Sequence, residues 1–191
     1  MDILAHGLWS AVAAVAIDRR RRIGNKAIIA AIGMSVLPDI LHVIPVALFA
    51  MEGGSLSVLR DYVLATPRTE PVLPEWTMGA AHHLHCIFHS GVVALFLTLL
   101  LWRRHVVIDA GLAGWWSHIV IDVLTHSSDF YPSPVFYPIS YDGFNGVAWN
   151  SALFISVNYG ALVIAICWLV YSGRMRKKAK ILDERVPTKF P

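Results

Sequence analysis

Apolar residues occur along the chain in five runs, separated by polar or basic segments. The runs cover residues 3–17, 27–51, about 84–102, 106–125 and 152–171. Long apolar runs with few charges are typical of transmembrane helices. The pattern therefore predicts an all-α membrane protein, a bundle of about five transmembrane helices.

Composition supports a membrane location. Of the 191 residues 56% are hydrophobic and only 15% are charged, and the mean hydropathy is +0.56. Soluble domains carry about 25% charged residues. The length suits one compact bundle, so we predict a single transmembrane domain over residues 1–172, followed by a basic cytoplasmic tail over residues 173–191.

Basic residues cluster at the ends of three apolar runs, in residues 19–22, 103–104 and 174–178. Lys and Arg collect on the cytoplasmic side of membranes, so with five spans the N-terminus lies outside and the C-terminus lies in the cytoplasm. We interpret these clusters as topology signals and expect no nucleic-acid partner. The loops 52–79 and 127–150 then lie outside, the second as an aromatic belt. We predict a bacterial cytoplasmic membrane.

Ionisable residues interrupt the fourth apolar run. His118, Asp122 and His126 follow one another at i, i+4 spacing, which places them on one helix face within roughly 80° of arc. Such residues inside a membrane segment indicate a functional site.

Further ionisable residues lie at a similar depth in other runs. The candidates for metal ligands are His6, Asp39, His42, His89, His118 and Asp122. Counted from the basic clusters at about 1.5 Å per residue, these six residues lie about 20–27 Å from the cytoplasmic edge. We therefore predict one metal site in the extracytoplasmic half of the bundle.

The donor set is rich in histidine and carboxylate. It suits Zn²⁺, as one or two ions, better than Mn²⁺, Fe²⁺ or Ni²⁺. His85 and His126 lie nearer the outer surface, where we expect them to orient ligands or to transfer protons. Asp2 stands four residues before His6 and is expected to orient its ring. Cys86 is interpreted as buried apolar filling.

Short motifs along residues 1–140 resemble a known family. They are Ala5-His6-Gly7, Leu37-Pro38-Asp39-Ile40-Leu41-His42, His89-Ser90, the stretch 117–125 and the stretch 135–140. In this order they resemble motifs of the YdjM-type membrane-bound metal-dependent hydrolases. The site is similar to that of the helical zinc-dependent phospholipase C and single-strand zinc nuclease group. The resemblance implies metal-dependent hydrolysis.

These features together predict a membrane-bound hydrolase that uses a metal-activated water. An outer site under an aromatic loop favours a phosphoester or lipid-linked substrate, with the lipid bilayer as the other partner. The alternative is a non-enzymatic metal or haem protein, such as a transporter or sensor. Apart from Asp109, the cytoplasmic halves of the runs are almost wholly apolar, which argues against a transport path. The oligomeric state stays open.

Overall fold

Residues 1–66 and 68–185, which a computed structural model describes, form seven α-helices and no strand. The helices are α1 (Ile3–Arg21), α2 (Asn25–Met51), α3 (Leu56–Val63), α4 (Glu75–Phe88), α5 (Gly91–Leu101), α6 (Val106–Thr125) and α7 (Ala152–Arg185). The all-α class is confirmed. Residues 186–191 of the predicted tail lie outside the described part.

Three of the described helices are long and apolar enough to cross a membrane. They are α2, α6 and the Ala152–Lys178 part of α7. The pair α4 and α5 passes the same test only when its two helices are joined, and it is bent by 53°. The chain therefore has the helices of a membrane protein, while five spans and their orientation stay predictions. Helix α7 continues to Arg185, beyond the predicted end of the domain at residue 172.

The predicted third span is wrong as one continuous helix, because it breaks at His89–Ser90. Ser90 is extended (φ −81°, ψ 121°) and caps α5, since its Oγ accepts the Val93 amide at 3.1 Å. The Gly91 amide donates to the Val135 carbonyl at 2.9 Å. A side chain at Gly91 would meet Val135 Cγ1 at 2.9 Å. The loop after α6 thus stabilises the break between α4 and α5, and His89 lies at the C-terminal end of α4.

Replacing Ser90 by alanine is expected to lower the free energy of unfolding by about 1–2 kcal/mol, as for a lost helix cap. Its buried hydroxyl caps α5 and donates to the Tyr137 carbonyl at 2.6 Å. Thermal unfolding in detergent measures the loss. The control is Ser156→Ala, an exposed serine that donates to the Ala152 carbonyl within α7 at 2.8 Å. Equal unfolding temperatures for the two variants would contradict a role of Ser90 in the break.

The segment 52–79, predicted as a polar loop, contains a helix of its own. Helix α3 is capped at its N-terminus by Ser55, whose hydroxyl accepts the Ser57 amide at 3.2 Å. Its buried residue Tyr62 packs against Val46 of α2 and Ala81 of α4. The helix has one apolar face and is therefore amphipathic. A helix of eight residues contains too few turns to show a periodic apolar pattern by itself.

Helices α2 and α6 lie in close contact at the centre of the bundle. A Cβ on Gly114 would lie 2.1 Å from the Ala31 carbonyl oxygen, so only glycine allows this approach. Nearby, Trp115 is buried and donates from Nε1 to the Phe88 carbonyl at 2.7 Å, which ties α6 to the end of α4. These contacts hold together α2, α4 and α6, each of which carries ionisable groups.

Candidate metal centre

Four buried side chains converge from α2, α6 and the break after α4. Each offers one ligand atom, and these four atoms lie within 4.8 Å of one another in Asp39, His89, His118 and Asp122. His89, His118 and Asp122 are fully buried, and Asp39 is 7% exposed. The predicted convergence of separate helices on one layer is found for these four residues, which together can hold a metal ion.

The spacing of the four ligand atoms suits a tetrahedral ion. Ligands about 2.1 Å from Zn²⁺ lie about 3.4 Å from one another in a tetrahedron. The Nε2 atoms of His89 and His118 are 3.0 Å apart, and each lies 3.2 Å from Asp122 Oδ2. Asp39 Oδ1 lies 3.5 Å and 3.7 Å from the same two nitrogens. These five distances scatter around the expected value.

Backbone carbonyls decide which nitrogen of each imidazole faces the centre. His118 Nδ1 lies 2.8 Å from the Ser35 carbonyl, and His89 Nδ1 lies 2.9 Å from the His85 carbonyl. A carbonyl only accepts, so both Nδ1 atoms carry the proton and donate it. In the neutral rings both Nε2 lone pairs then face each other and the carboxylates. Such a set of lone pairs is stabilised by a positive charge between them, which a metal ion supplies.

The Asp122 carboxylate serves two sets of neighbours. Its Oδ2 faces the four-residue group and, within the described chain, has no hydrogen-bond donor. Its Oδ1 lies 2.8 Å from His6 Nε2 and 3.3 Å from His126 Nε2, and it also contacts the Met1 amino nitrogen. Asp122 thus offers one oxygen to an ion while the other is held by nitrogens.

His6 lies beside the four-residue group, and Asp2 caps the helix that carries His6. The His6 ring stacks 4.0 Å from the His118 ring and contacts Asp122, so it lies beside the four-residue group. The Asp2 carboxylate caps α1 by accepting the Ala5 amide at 2.9 Å and accepts the Tyr159 hydroxyl at 2.8 Å. His6 Nδ1 has no partner among the described residues. The Asp2 carboxylate thus makes no hydrogen bond to the His6 ring here, and the predicted roles of Asp2 and His6 stay predictions.

His42, His85 and His126 form the outer border of the site. The His85 ring lies 4.0 Å from the His89 ring and 5.6 Å from the His42 ring. His126 Nδ1 donates to the Tyr131 carbonyl at 2.6 Å. His42 is thus placed next to the four-residue group and outside it. The ligand role of His42, and the catalytic roles of His85 and His126, stay predictions.

Two tyrosines at the site were not singled out from the sequence. The Tyr62 and Tyr131 rings lie 6.2 Å and 6.1 Å from the His42 ring. Burial raises the pKa of both phenols above the ordinary value, so both stay neutral. Tyr131 was assigned to the aromatic belt but turns inward. The one weak sign in the sequence that Tyr131 lies at the site was its position five residues after His126.

A cavity of about 440 Å³ opens on the site from the side of α3. Asp39, His42, His85 and His126 line its base, so the cavity meets the four-residue group at Asp39. A second cavity of about 720 Å³ lies between α1, α2 and α6 and is lined mostly by apolar residues, with Asp109 and Arg21 among its polar members. The only Asp/His group of metal-binding geometry in the described residues faces the first cavity.

The imidazole pair is too close for a haem. Two histidines that ligate one haem iron stand on opposite faces of the porphyrin, with their nitrogens about 4 Å apart. The Nε2 atoms of His89 and His118 are 3.0 Å apart and share carboxylate neighbours. This geometry fits a bare ion and disfavours the haem alternative.

Comparisons of the chain with protein-family models, with curated proteins and with solved structures find no match. The YdjM-type resemblance therefore stays a prediction from the motifs.

Proposed function

We propose that the protein is a membrane-bound metal-dependent hydrolase. The observation that carries the proposal is that Asp39, His89, His118 and Asp122 are buried together at ion-binding spacing beside a cavity, where a water would have room to join them as a further ligand. A donor set of two imidazoles and two carboxylates, without a thiolate, suits Zn²⁺. The cavity beside the four residues gives a substrate access, which a purely structural ion does not need.

When bound, the metal would lower the pKa of a water molecule and polarise the scissile group. The chain's own residues supply the rest. His89 and His118 present Nε2 because carbonyls hold their Nδ1 protons. His85 Nε2 faces the Pro132 carbonyl at 3.5 Å, and its buried Nδ1 has no partner among the described residues. We assign proton transfer to this Nδ1, at the base of the cavity.

We further propose five crossings with the N-terminus outside the cytoplasm. They would be α1, α2, the bent pair α4–α5, α6 and α7. This arrangement brings the basic residues 19–22, 103–104 and 174–178 to one side, which is the cytoplasmic side by the positive-inside rule. The metal group then lies in the extracytoplasmic half of a cytoplasmic membrane. The order of the motifs that resemble the YdjM-type hydrolases also supports the proposal of a membrane-bound metal-dependent hydrolase.

His118→Ala is expected to lose the bound metal and to reduce hydrolysis at least about 100-fold, because even indirect partners of a metal site contribute about 10–100-fold. Elemental analysis of purified protein measures the metal. Release of nitrophenol from bis(p-nitrophenyl) phosphate measures phosphodiester hydrolysis. The matched control is His83→Ala, since His83 is exposed on α4.

Two results would count against the proposal. Full metal content and full hydrolysis in His118→Ala would exclude the four-residue group as the site. A wild-type protein that binds metal at this group but hydrolyses no phosphodiester would favour the non-enzymatic alternative, a metal-dependent sensor or transporter.

A further inference from the structure

The cavity above the metal group is polar at its base and apolar at its mouth. At the base, Asp39 is 7% exposed and His85 is 4% exposed. Asp39 Oδ2 and His85 Nδ1 are buried and lack a partner in the described part of the chain. Unpaired buried polar atoms are costly, so their position at the base indicates that a polar group binds there.

The middle of the cavity is lined by aromatic side chains. Tyr62, Phe130, Tyr131 and Trp149 all contribute to its wall. Phe130 packs edge-on against Tyr131, with ring centroids 4.9 Å apart, and burial raises the pKa of Tyr131. Neutral phenols and apolar rings suit the junction between a polar head and a hydrocarbon chain.

The mouth of the cavity is formed by large apolar residues that the protein leaves uncovered. Leu4 of α1 is 61% exposed, and Val63 and Leu64 at the end of α3 are 51% and 70% exposed. A mouth that admits a water-soluble substrate gains nothing from such residues. Contiguous exposed apolar surface on a membrane protein is where hydrocarbon chains make contact.

The apolar surface continues from the mouth along the amphipathic helix. Leu56 at the start of α3 is 71% exposed, and Met51 at the end of α2 is 78% exposed. Helix α2 is one of the apolar helices able to cross a membrane. The mouth is therefore continuous with a surface that lipid would cover, and α3 has the pattern of a helix that lies in the membrane interface.

We propose that the substrate of this site is a bilayer lipid that enters sideways, with its head at Asp39 and His85 and its chain leaving between α1 and α3. The substrate class rests on the proposed hydrolase function. A volume of about 440 Å³ accommodates a polar head and the first part of a chain, while the rest of the chain stays in the bilayer.

Photolabelling tests this proposal in the full-length protein in nanodiscs. The probe is phosphatidylglycerol with a diazirine in one acyl chain, and mass spectrometry locates the labelled residues. We expect labelling of Val43 and Tyr131, which line the cavity behind the mouth. Leu64→Trp should narrow the mouth and reduce this labelling about tenfold. The control is Leu99→Trp on α5, because Leu99 is 71% exposed, similar to Leu64, and does not line the cavity.

The outcomes separate the lipid proposal from the hydrolase proposal. His118→Ala should lose metal and hydrolysis but keep the labelling, because His118 does not line this cavity. A wild-type protein that binds metal and hydrolyses bis(p-nitrophenyl) phosphate, yet shows no labelling at Val43 and Tyr131, would overturn the lipid proposal alone. Equal labelling in Leu64→Trp and Leu99→Trp would overturn it too. If Leu64→Trp fails to fold, Val63→Trp replaces it in the same comparison.

Discussion

Asp122→Asn is expected to weaken metal binding by at least about 100-fold and to remove hydrolytic activity. The substitution keeps the shape of the side chain and removes its charge. The negative charge that Oδ2 presents to His89 and His118 would be removed. The same charge would be lost at Oδ1, which faces His6, His126 and the Met1 nitrogen. Breaking a buried ion pair costs about 3–5 kcal/mol, and each 1.4 kcal/mol is about tenfold in affinity.

Zinc titration by calorimetry, with elemental analysis of the purified protein, measures the effect. The control is Asp109→Asn on the same helix, where the half-buried Asp109 accepts the Arg103 amide at 2.8 Å and lies far from the metal group along α6. This variant should keep its metal. Unchanged zinc affinity in Asp122→Asn would mean that the four-residue group is an ion-pair network satisfied by protons, with no metal function.

Gly114→Ala should separate α2 from α6 and lower the yield of folded, metal-loaded protein. The added Cβ would lie 2.1 Å from the Ala31 carbonyl oxygen, and that backbone atom cannot move as a flexible side chain does. Inserting a methyl group into a packed contact costs about 1–3 kcal/mol, and more where backbone must shift. Since α2 carries Asp39 and α6 carries His118, the ligand distances would also lengthen.

Thermal unfolding and metal content after purification measure this second effect. The control is Gly33→Ala, because Gly33 is also in α2 and a Cβ there meets nothing within 4 Å. Alanine at that position should leave stability unchanged or raise it by up to about 1 kcal/mol. Similar unfolding temperatures and metal contents for the two variants would show that the close contact at Gly114 does not position the site.

Long apolar runs were sufficient to predict several helices. Residues 27–51 and 106–125 were predicted from hydropathy, and the structure has α2 at Asn25–Met51 and α6 at Val106–Thr125. A long apolar run constrains a helix locally, because each backbone group in lipid must find its partner within the same segment. The prolines Pro38 and Pro45 remain inside α2, which continues through both.

The break at His89–Ser90 and the helix α3 could not be predicted in this way. The break depends on the Val135 carbonyl, which accepts from Gly91 across more than forty residues of sequence. Helix α3 is stabilised by packing of Tyr62 against α2 and α4. Both features depend on contacts between segments that are distant in sequence, and the local hydropathy pattern does not predict such contacts.

The sequence by itself predicted an all-α chain with helices able to cross a membrane, and histidines and carboxylates at similar heights along them, since hydropathy and helical rise are local properties. Tertiary structure alone decided which of them meet. Asp39, His89, His118 and Asp122 share one group, whereas His6 supports Asp122 and Asp2 caps a helix. The physical reason is the rotation of each helix about its own axis. The height of a residue along a helix follows from counting residues, but the direction of its side chain depends on how the helices pack. For α2 and α6, the contact between Gly114 and Ala31 fixes that rotation.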